Sequence, residues 1–367
     1  MLRSLLPALC SFLCILASAA AAGAPINVVQ VADQSGPNGD TGRDFVTGAR
    51  VYFDQLNARG GINGRPVNLV VADDGGEPAA TLALSRKLVA EQRPQALFGY
   101  IGADGIRAVL ADKALAGLPL VAPYLGIDVK GEGGVYYLRA GLAAEVGKIA
   151  RIANASGLTR LALVSGEDAL GRAARLEVPV RLAEVKAALV GQAGLPTDSI
   201  EVEAAAARLA ASNPQGVILA APTVSSAAFV RAYQALRPGT QFYALSWVNP
   251  QTMREFLGPE SVRGVAVSAL VPSPYNPLSP IAREFVATLK KYRDEPPSYA
   301  SLEGYMAARM LADNLRAAGG EGGVALRRAL DGYQADVGGA VLSLRGGQRA
   351  SRYVDMAVFS AAGLLVN

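Results

Sequence analysis

Short apolar runs rich in β-branched residues recur at residues 26–31, 67–72, 96–101, 118–122, 160–164, 216–220, 241–245 and 264–269, and longer stretches with helical spacing separate them. Strands that alternate with helices build parallel sheets covered on both faces, so the pattern predicts an α/β chain of the doubly wound kind. The clearest helix covers residues 41–59, with Phe45, Ala49, Tyr52, Phe53 and Leu56 on one face. Asp40 or Thr41 is placed to cap its start, and Gly60 and Gly61 to supply the left-handed turn that ends it. Those aromatic side chains read as core. The alternation forms two blocks that meet near residues 137–141 and 271–274, where Pro and Gly suit crossovers between two lobes.

The first residues carry a different pattern. Arg3 precedes an apolar run over residues 5–16 and then small residues to Ala24, the layout of a secretory signal peptide cleaved after Ala22 or Ala24. The run is too short to span a bilayer, and no later stretch reaches the roughly 20 apolar residues that spanning needs. Both cysteines, Cys10 and Cys14, fall inside this segment, so the mature chain is expected to have no disulfide, thiol nucleophile or thiolate metal ligand. The remaining residues, 25–367, suffice for two domains at roughly 100–200 residues each. The chain has no histidine, which removes the usual general base and the commonest transition-metal ligand. No catalytic residue, metal or cofactor is therefore assigned, and the chain does not read as an enzyme. Its 35 Lys and Arg against 31 Asp and Glu are scattered without a basic run, so nucleic acid is not an expected partner.

Residues 33–78 hold the most specific signal. Asp33-Gln34-Ser35-Gly36-Pro37-Asn38-Gly39-Asp40-Thr41-Gly42 leads into the amphipathic stretch. After Asn57-Ala58-Arg59-Gly60-Gly61-Ile62-Asn63-Gly64, a strand ends in Asp73-Asp74-Gly75-Gly76-Glu77-Pro78. With the Asp168-x-x-Gly171 turn, this strand, turn, helix, turn and strand resemble periplasmic solute-binding proteins of ABC importers, in the branched-chain amino-acid (Leu/Ile/Val)-binding family. The resemblance covers nearly the whole mature chain. It implies a two-lobe type I periplasmic-binding-protein fold, each lobe a mostly parallel sheet flanked by helices, with three interlobe crossovers. The N-terminal lobe would comprise residues 25–140 and 273–333, and the C-terminal lobe 141–272 and 334–367. It further implies a monomeric periplasmic receptor that captures a small organic solute and delivers it to the membrane permease of an ABC transporter. The alternative is a ligand-sensing protein that feeds a chemoreceptor or sensor kinase.

Ligands of open α/β sheets bind outside the carboxyl ends of the strands, where loops and helix starts leave backbone N–H groups unpaired. That rule selects Ser35, Thr41, Tyr100, Gly102, Ala103, Asp104, Tyr124, Leu125 and Gly126 in the first lobe. In the second it selects Asp168, Leu170, Thr223, Ser246 and Trp247. Glu303 joins them because family members often present a cleft-facing residue from that helix start; with Ser301 as cap, first-turn electrostatics is its other reading. Amino-acid-binding members hold the α-carboxylate with Ser and Thr hydroxyls and the α-ammonium partly with a carboxylate. The matching positions here are Gly102 or Ala103, Gly126 and Ser246, so that cage is missing unless Asp104, Asp168 or Glu303 substitutes. What remains is apolar and aromatic, which favours a small aromatic or aliphatic acid or amide over a free α-amino acid. Trp247 and Tyr124 each read as cleft wall or as core. Arg139, at the first crossover, reads as a hinge salt bridge in preference to a carboxylate clamp.

Overall fold

The computed structural model describes residues 23–196, 200–360 and 362–366. The segment read as a signal peptide, with Cys10 and Cys14, lies outside them except for residues 23 and 24. The chain first forms β1 (Ile26–Ala32), α1 (Gly39–Ala58), β2 (Val67–Asp73), α2 (Pro78–Gln92), β3 (Ala96–Phe98), α3 (Ala103–Leu110), β4 (Leu120–Val121) and β5 (Val135–Tyr136). It continues through α4 (Leu142–Ala155), β6 (Arg160–Gly166), α5 (Ala169–Glu184), β7 (Ala188–Leu195), α6 (Glu203–Ala211), β8 (Gly216–Ala220), α7 (Thr223–Leu236), β9 (Gln241–Ala244), α8 (Pro250–Ser261) and β10 (Val265–Ala269). Three helices follow, α9 (Pro280–Tyr292), α10 (Tyr299–Ala317) and α11 (Gly323–Gly332). The last strands are β11 (Gln334–Asp336), β12 (Val341–Ser343), β13 (Asp355–Phe359) and β14 (Leu365–Val366).

Two sheets organise these elements. The first is wholly parallel, in the order β2-β1-β3-β4-β5. The second runs β14-β13-β10-β9-β8-β6-β7, parallel from β10 to β7, with β13 and β14 antiparallel at one edge. β11 and β12 form a separate antiparallel hairpin. The parallel core strands are near-continuous apolar runs with almost every residue buried, as burial on both faces requires.

Every apolar run read as a strand is one, although β3 and β4 are shorter than expected. After β3 the chain turns at once through Gly99, at φ 61°, where an added Cβ would stand 2.5 Å from the Phe45 ring and 2.7 Å from the Gln30 amide. β7 escapes the pattern because it is a sheet edge with two glycines and mostly half-buried or exposed residues. The first helix begins at Gly39, so neither Asp40 nor Thr41 is its cap. The turn before it is held instead by Asp33, whose carboxylate accepts the N–H groups of Gly36 at 2.7 Å and Asn38 at 2.8 Å. Gly60 and Gly61 end the helix with positive φ, as expected.

The helices after β10 return to the first sheet. α10 lies so close to α1 that a Cβ added at Gly48 would stand 1.7 Å from the Ser301 carbonyl oxygen, and one at Gly304 would stand 2.1 Å from that of Phe45. Glycine at both crossing points lets the two backbones touch. Further on, the chain before β13 pairs with the segment that leaves β5: Tyr137 N–H donates to the Gln348 carbonyl at 2.7 Å and Ser351 N–H to that of Leu138 at 2.8 Å.

Gly304→Ala is therefore expected to lower the unfolding free energy by about 1–3 kcal/mol despite the better helix propensity of alanine. Gly332→Ala, at the end of α11 with open space around it, should change little. Urea unfolding of both variants checks this, and equal midpoints would show that the α1–α10 contact yields freely.

Candidate ligand-binding cleft

Strand order reverses in the first sheet between β1 and β3 and in the second between β6 and β8. Loops that leave adjacent strands at such a point run to opposite faces of the sheet and open a crevice at its carboxyl edge. Loops from both sheets meet around one cavity of about 110 Å³. Its walls come from the chain after β1, β2, β3 and β4 on one side, and after β6 and β9 on the other. A cavity of roughly 150 Å³ takes a benzene ring, so this one is somewhat smaller than a single aromatic ring needs in the form described.

On the first-sheet side, Gly102 at φ 98° precedes α3, and no side chain caps that helix. Its first residues, Ala103, Asp104 and Gly105, line the cavity. Tyr124 stands beside them, edge-on to Phe45 at 5.8 Å between ring centres. On the second-sheet side, Asp168 caps α5 by accepting the Gly171 N–H at 2.6 Å. Gly171 is required there, because its Cβ would meet the Gly166 carbonyl oxygen at 2.1 Å. Leu170 and Trp247 complete that wall. Trp247 is only 5 % exposed and belongs to the core as well as to the cavity.

The acidic groups in the wall are already engaged. Asp33 holds the turn before α1, and Asp104 pairs with Arg107 at 2.9 Å and Arg172 at 3.3 Å. Burial pushes the Asp168 carboxyl above its usual range, against the Gly171 N–H and the nearby Arg172. Among the described residues, no group of three or more carboxylate, imidazole or thiol side chains is placed to hold a metal ion.

Of the residues singled out from sequence, the cavity gathers Thr41, Gly102, Ala103, Asp104, Tyr124, Asp168, Leu170 and Trp247. The others stand apart from it. Ser35 is exposed and turned toward Asp73 and Gly75. Tyr100 is fully buried, with its hydroxyl 2.9 Å from that of Ser85. Leu125 is core, and the Gly126 carbonyl accepts the Leu142 N–H at 2.8 Å. The Thr223 hydroxyl accepts the Asn249 N–H at 3.0 Å, which fixes the start of α8. Ser246 borders a separate narrow pocket that it shares with Thr41, Tyr124 and Tyr299. The salt bridge expected at Arg139 forms with Glu303, 3.1 Å away and buried with it. The cap of α10 is Ser298, which exchanges hydrogen bonds with Ser301 at 2.8 and 3.0 Å, so Ser301 is not the cap itself. Nine lining residues were not singled out from sequence, among them Asp33, Gly76 and Pro78. The carboxyl-edge rule covers the end of β2 equally, and applying it to the turn after Asp73-Asp74 would have found the last two.

The Periplasmic binding protein family model matches residues 25–363 of this chain. Among curated proteins, an amino acid binding protein of Pseudomonas aeruginosa is 36 % identical over 66 residues, a stretch spanning 18 % of each chain. A Leu/Ile/Val-binding protein homolog of Brucella melitensis is 24 % identical over 88 % of this chain and 85 % of its own length. Among solved structures, a substrate-binding periplasmic protein from Ralstonia solanacearum superposes with a TM-score of 0.86 at 30 % identity, over 93 % of this chain and 99 % of that one.

Outside the cavity, the rim ties α1 to the start of α8. The Thr252 hydroxyl donates to Asp40 at 2.9 Å, and the Asn249 amide to Asp44 at 3.3 Å. Burial pushes the Asp44 carboxyl up to about 6, against a hydrogen bond from Ser298, with Asp40 adding to the rise. A carboxyl raised in the folded state binds more protons than in the unfolded chain between its ordinary 3.8 and about 6. The stability it contributes is therefore lost as pH rises through that window. Asp44→Asn, which keeps the acceptor but cannot ionise, should melt like the parent near pH 4. At pH 7 it should melt higher, by a few degrees, because the variant is spared the cost of a buried charge. Melting curves across that range check this, and a variant that loses stability at pH 7 would show that the Asp44 charge is favourable where it stands.

Proposed function

Because the chain belongs to the periplasmic binding protein family, in its Leu/Ile/Val-binding branch, we propose that it is an extracytoplasmic receptor that closes two lobes on one small organic solute. It presents that solute to the membrane permease of an ABC importer. Residues 1–24 direct it to the periplasm, and the lobes divide at residues 140, 272 and 333. The packing of α10 on α1 and the pairing of β13 with β10 support that division. Closure is the signal: a solute touched by both lobes shifts the equilibrium only by its differential affinity for the closed form.

The observation that carries the reading is the cavity itself, which takes one aromatic wall from each sheet, Tyr124 and Trp247, and an uncapped helix start from α3. N–H groups at a helix start suit an acid or amide oxygen. An α-ammonium needs a free acceptor in the wall, and the wall carboxylates are engaged by N–H groups and guanidinium groups. The solute class is therefore a small aromatic or aliphatic acid or amide.

A thermal-shift screen of purified residues 25–367 against benzoate, isovalerate, benzamide and leucine tests this. Benzoate, isovalerate or benzamide should raise the melting temperature, by about 2.7 kcal/mol of stabilisation at 100 times the dissociation constant. A shift with leucine alone would overturn the solute class. Trp247→Ala should abolish the shift and still unfold cooperatively; an undiminished shift would return Trp247 to the core alone.

A further inference from the structure

Ser246 precedes Trp247 in the loop after β9, and all three of its polar groups are tied to other elements. Its N–H donates to Glu145 of α4 at 2.5 Å, its hydroxyl accepts from the Arg139 guanidinium at 3.0 Å, and its carbonyl accepts from the Tyr124 hydroxyl at 3.0 Å. Arg139 also stacks on the Tyr124 ring, with its guanidinium carbon 3.8 Å from the ring centre. Glu303 of α10 forms an ion pair with the guanidinium Nε at 3.1 Å. Arg139, Glu145 and Glu303 are 1 %, 0 % and 3 % exposed. Glu145 also accepts the Ser268 hydroxyl, and its other oxygen has no hydrogen-bond partner among the described residues. One guanidinium therefore touches, at one remove or directly, both aromatic walls of the cavity.

We propose that Arg139 is the positioning residue of the cleft: by stacking on Tyr124 and holding Ser246, it fixes the two aromatic side chains that face the solute from opposite sheets. The proposal rests on the cleft described above as the binding site. Arg139 itself is not among the residues lining that cavity, so it acts through Tyr124 and the Ser246–Trp247 peptide. A planar fork is needed for this, because stacking and two separate hydrogen-bonding directions have to come from one cation. A lysine retains the charge for Glu303 and loses the rest.

Trp247 is the only tryptophan of the chain, so its emission reports this loop directly without a solute. Acrylamide quenching is compared in the parent, Arg139→Lys, Ser246→Ala and Glu303→Gln, with a thermal melt of each. In Arg139→Lys and Ser246→Ala, the quenching constant should rise by roughly twofold or more, as the loss of one buried hydrogen bond allows, with cooperative melting kept. Glu303→Gln, which keeps the stack and the Ser246 contact, should melt lower and be quenched like the parent. A folded Arg139→Lys with parental quenching overturns the proposal, as does Glu303→Gln quenched as strongly as Arg139→Lys, which would make the ion pair alone responsible. Where Arg139→Lys fails to fold, Ser246→Ala decides by itself, since it leaves no buried charge unpaired. No solute enters this experiment, so a failed solute screen and a failed positioning role remain separate results.

Discussion

A guanidinium shut off from water lies where the chain first passes from one sheet to the other, and much of the molecule is arranged around satisfying it. A charge buried alone is too costly to keep, and removing one member of a buried pair costs about 3–5 kcal/mol. Arg139 thus needs Glu303 at the same place in every folded molecule. Burial pushes the Glu303 carboxyl up, Arg139 pulls it back, and Glu145 adds to the rise. Glu303 is delivered by a helix with little freedom: the reciprocal Ser298–Ser301 cap fixes its start, and contact of its backbone with α1 fixes its depth. The segment before β13 then pairs with the chain that leaves β5 and carries Arg139, so the first and last passages between the sheets are tied together.

From that fixed point the cleft follows by topology. Both sheets use the same order around their first strand, with β2-β1-β3 matched by β7-β6-β8. Each therefore has a reversal point whose loops spread apart at the carboxyl edge. The crossovers set the two edges against each other, and the hydrogen bonds from Thr252 to Asp40 and from Asn249 to Asp44 join them at the rim. The side chains that meet in the cavity come from separate loops at residues 33–41, 76–81, 101–105, 124, 168–170 and 247, so no local sequence signal could have brought them together.

What the sequence showed and what it hid divide along the same line. The parallel strands and α1 were legible because two-sided burial and amphipathic spacing leave local signatures, as in residues 26–31 and in Phe45, Ala49 and Phe53. β7 and the two-residue β5 were not, since an edge strand with glycines and a pair of residues both fall below any periodic signal. Loops at carboxyl edges were legible as loops, but a loop's position does not say which side chain turns inward. Tyr124 and Trp247 reach the cavity, whereas Tyr100, one turn of chain away from Gly102, is taken by Ser85 into the core. Arg139 was legible as a salt bridge because a lone arginine at a crossover has few other uses. Its hold on Ser246 was not, because that contact joins residues 107 apart in sequence.

The helix starts around the cavity bear on how a wall containing three aspartates would suit the acid or amide oxygen of the proposed solute. Each helix start leaves N–H groups without an internal partner and carries a partial positive charge. The chain answers two such demands with its own carboxylates, Asp168 at α5 and Asp33 at the turn into α1. It leaves α3 unanswered, because Gly102 has no side chain to fold back and open space lies beside it. The positive φ of Gly102 also keeps a serine, threonine or aspartate from taking that place without strain. An oxygen from the solute would do at α3 what Asp168 does at α5. The wall aspartates accept the protein's own N–H groups or pair with Arg107 and Arg172, while the first residues of α3 line the cavity without a side-chain cap.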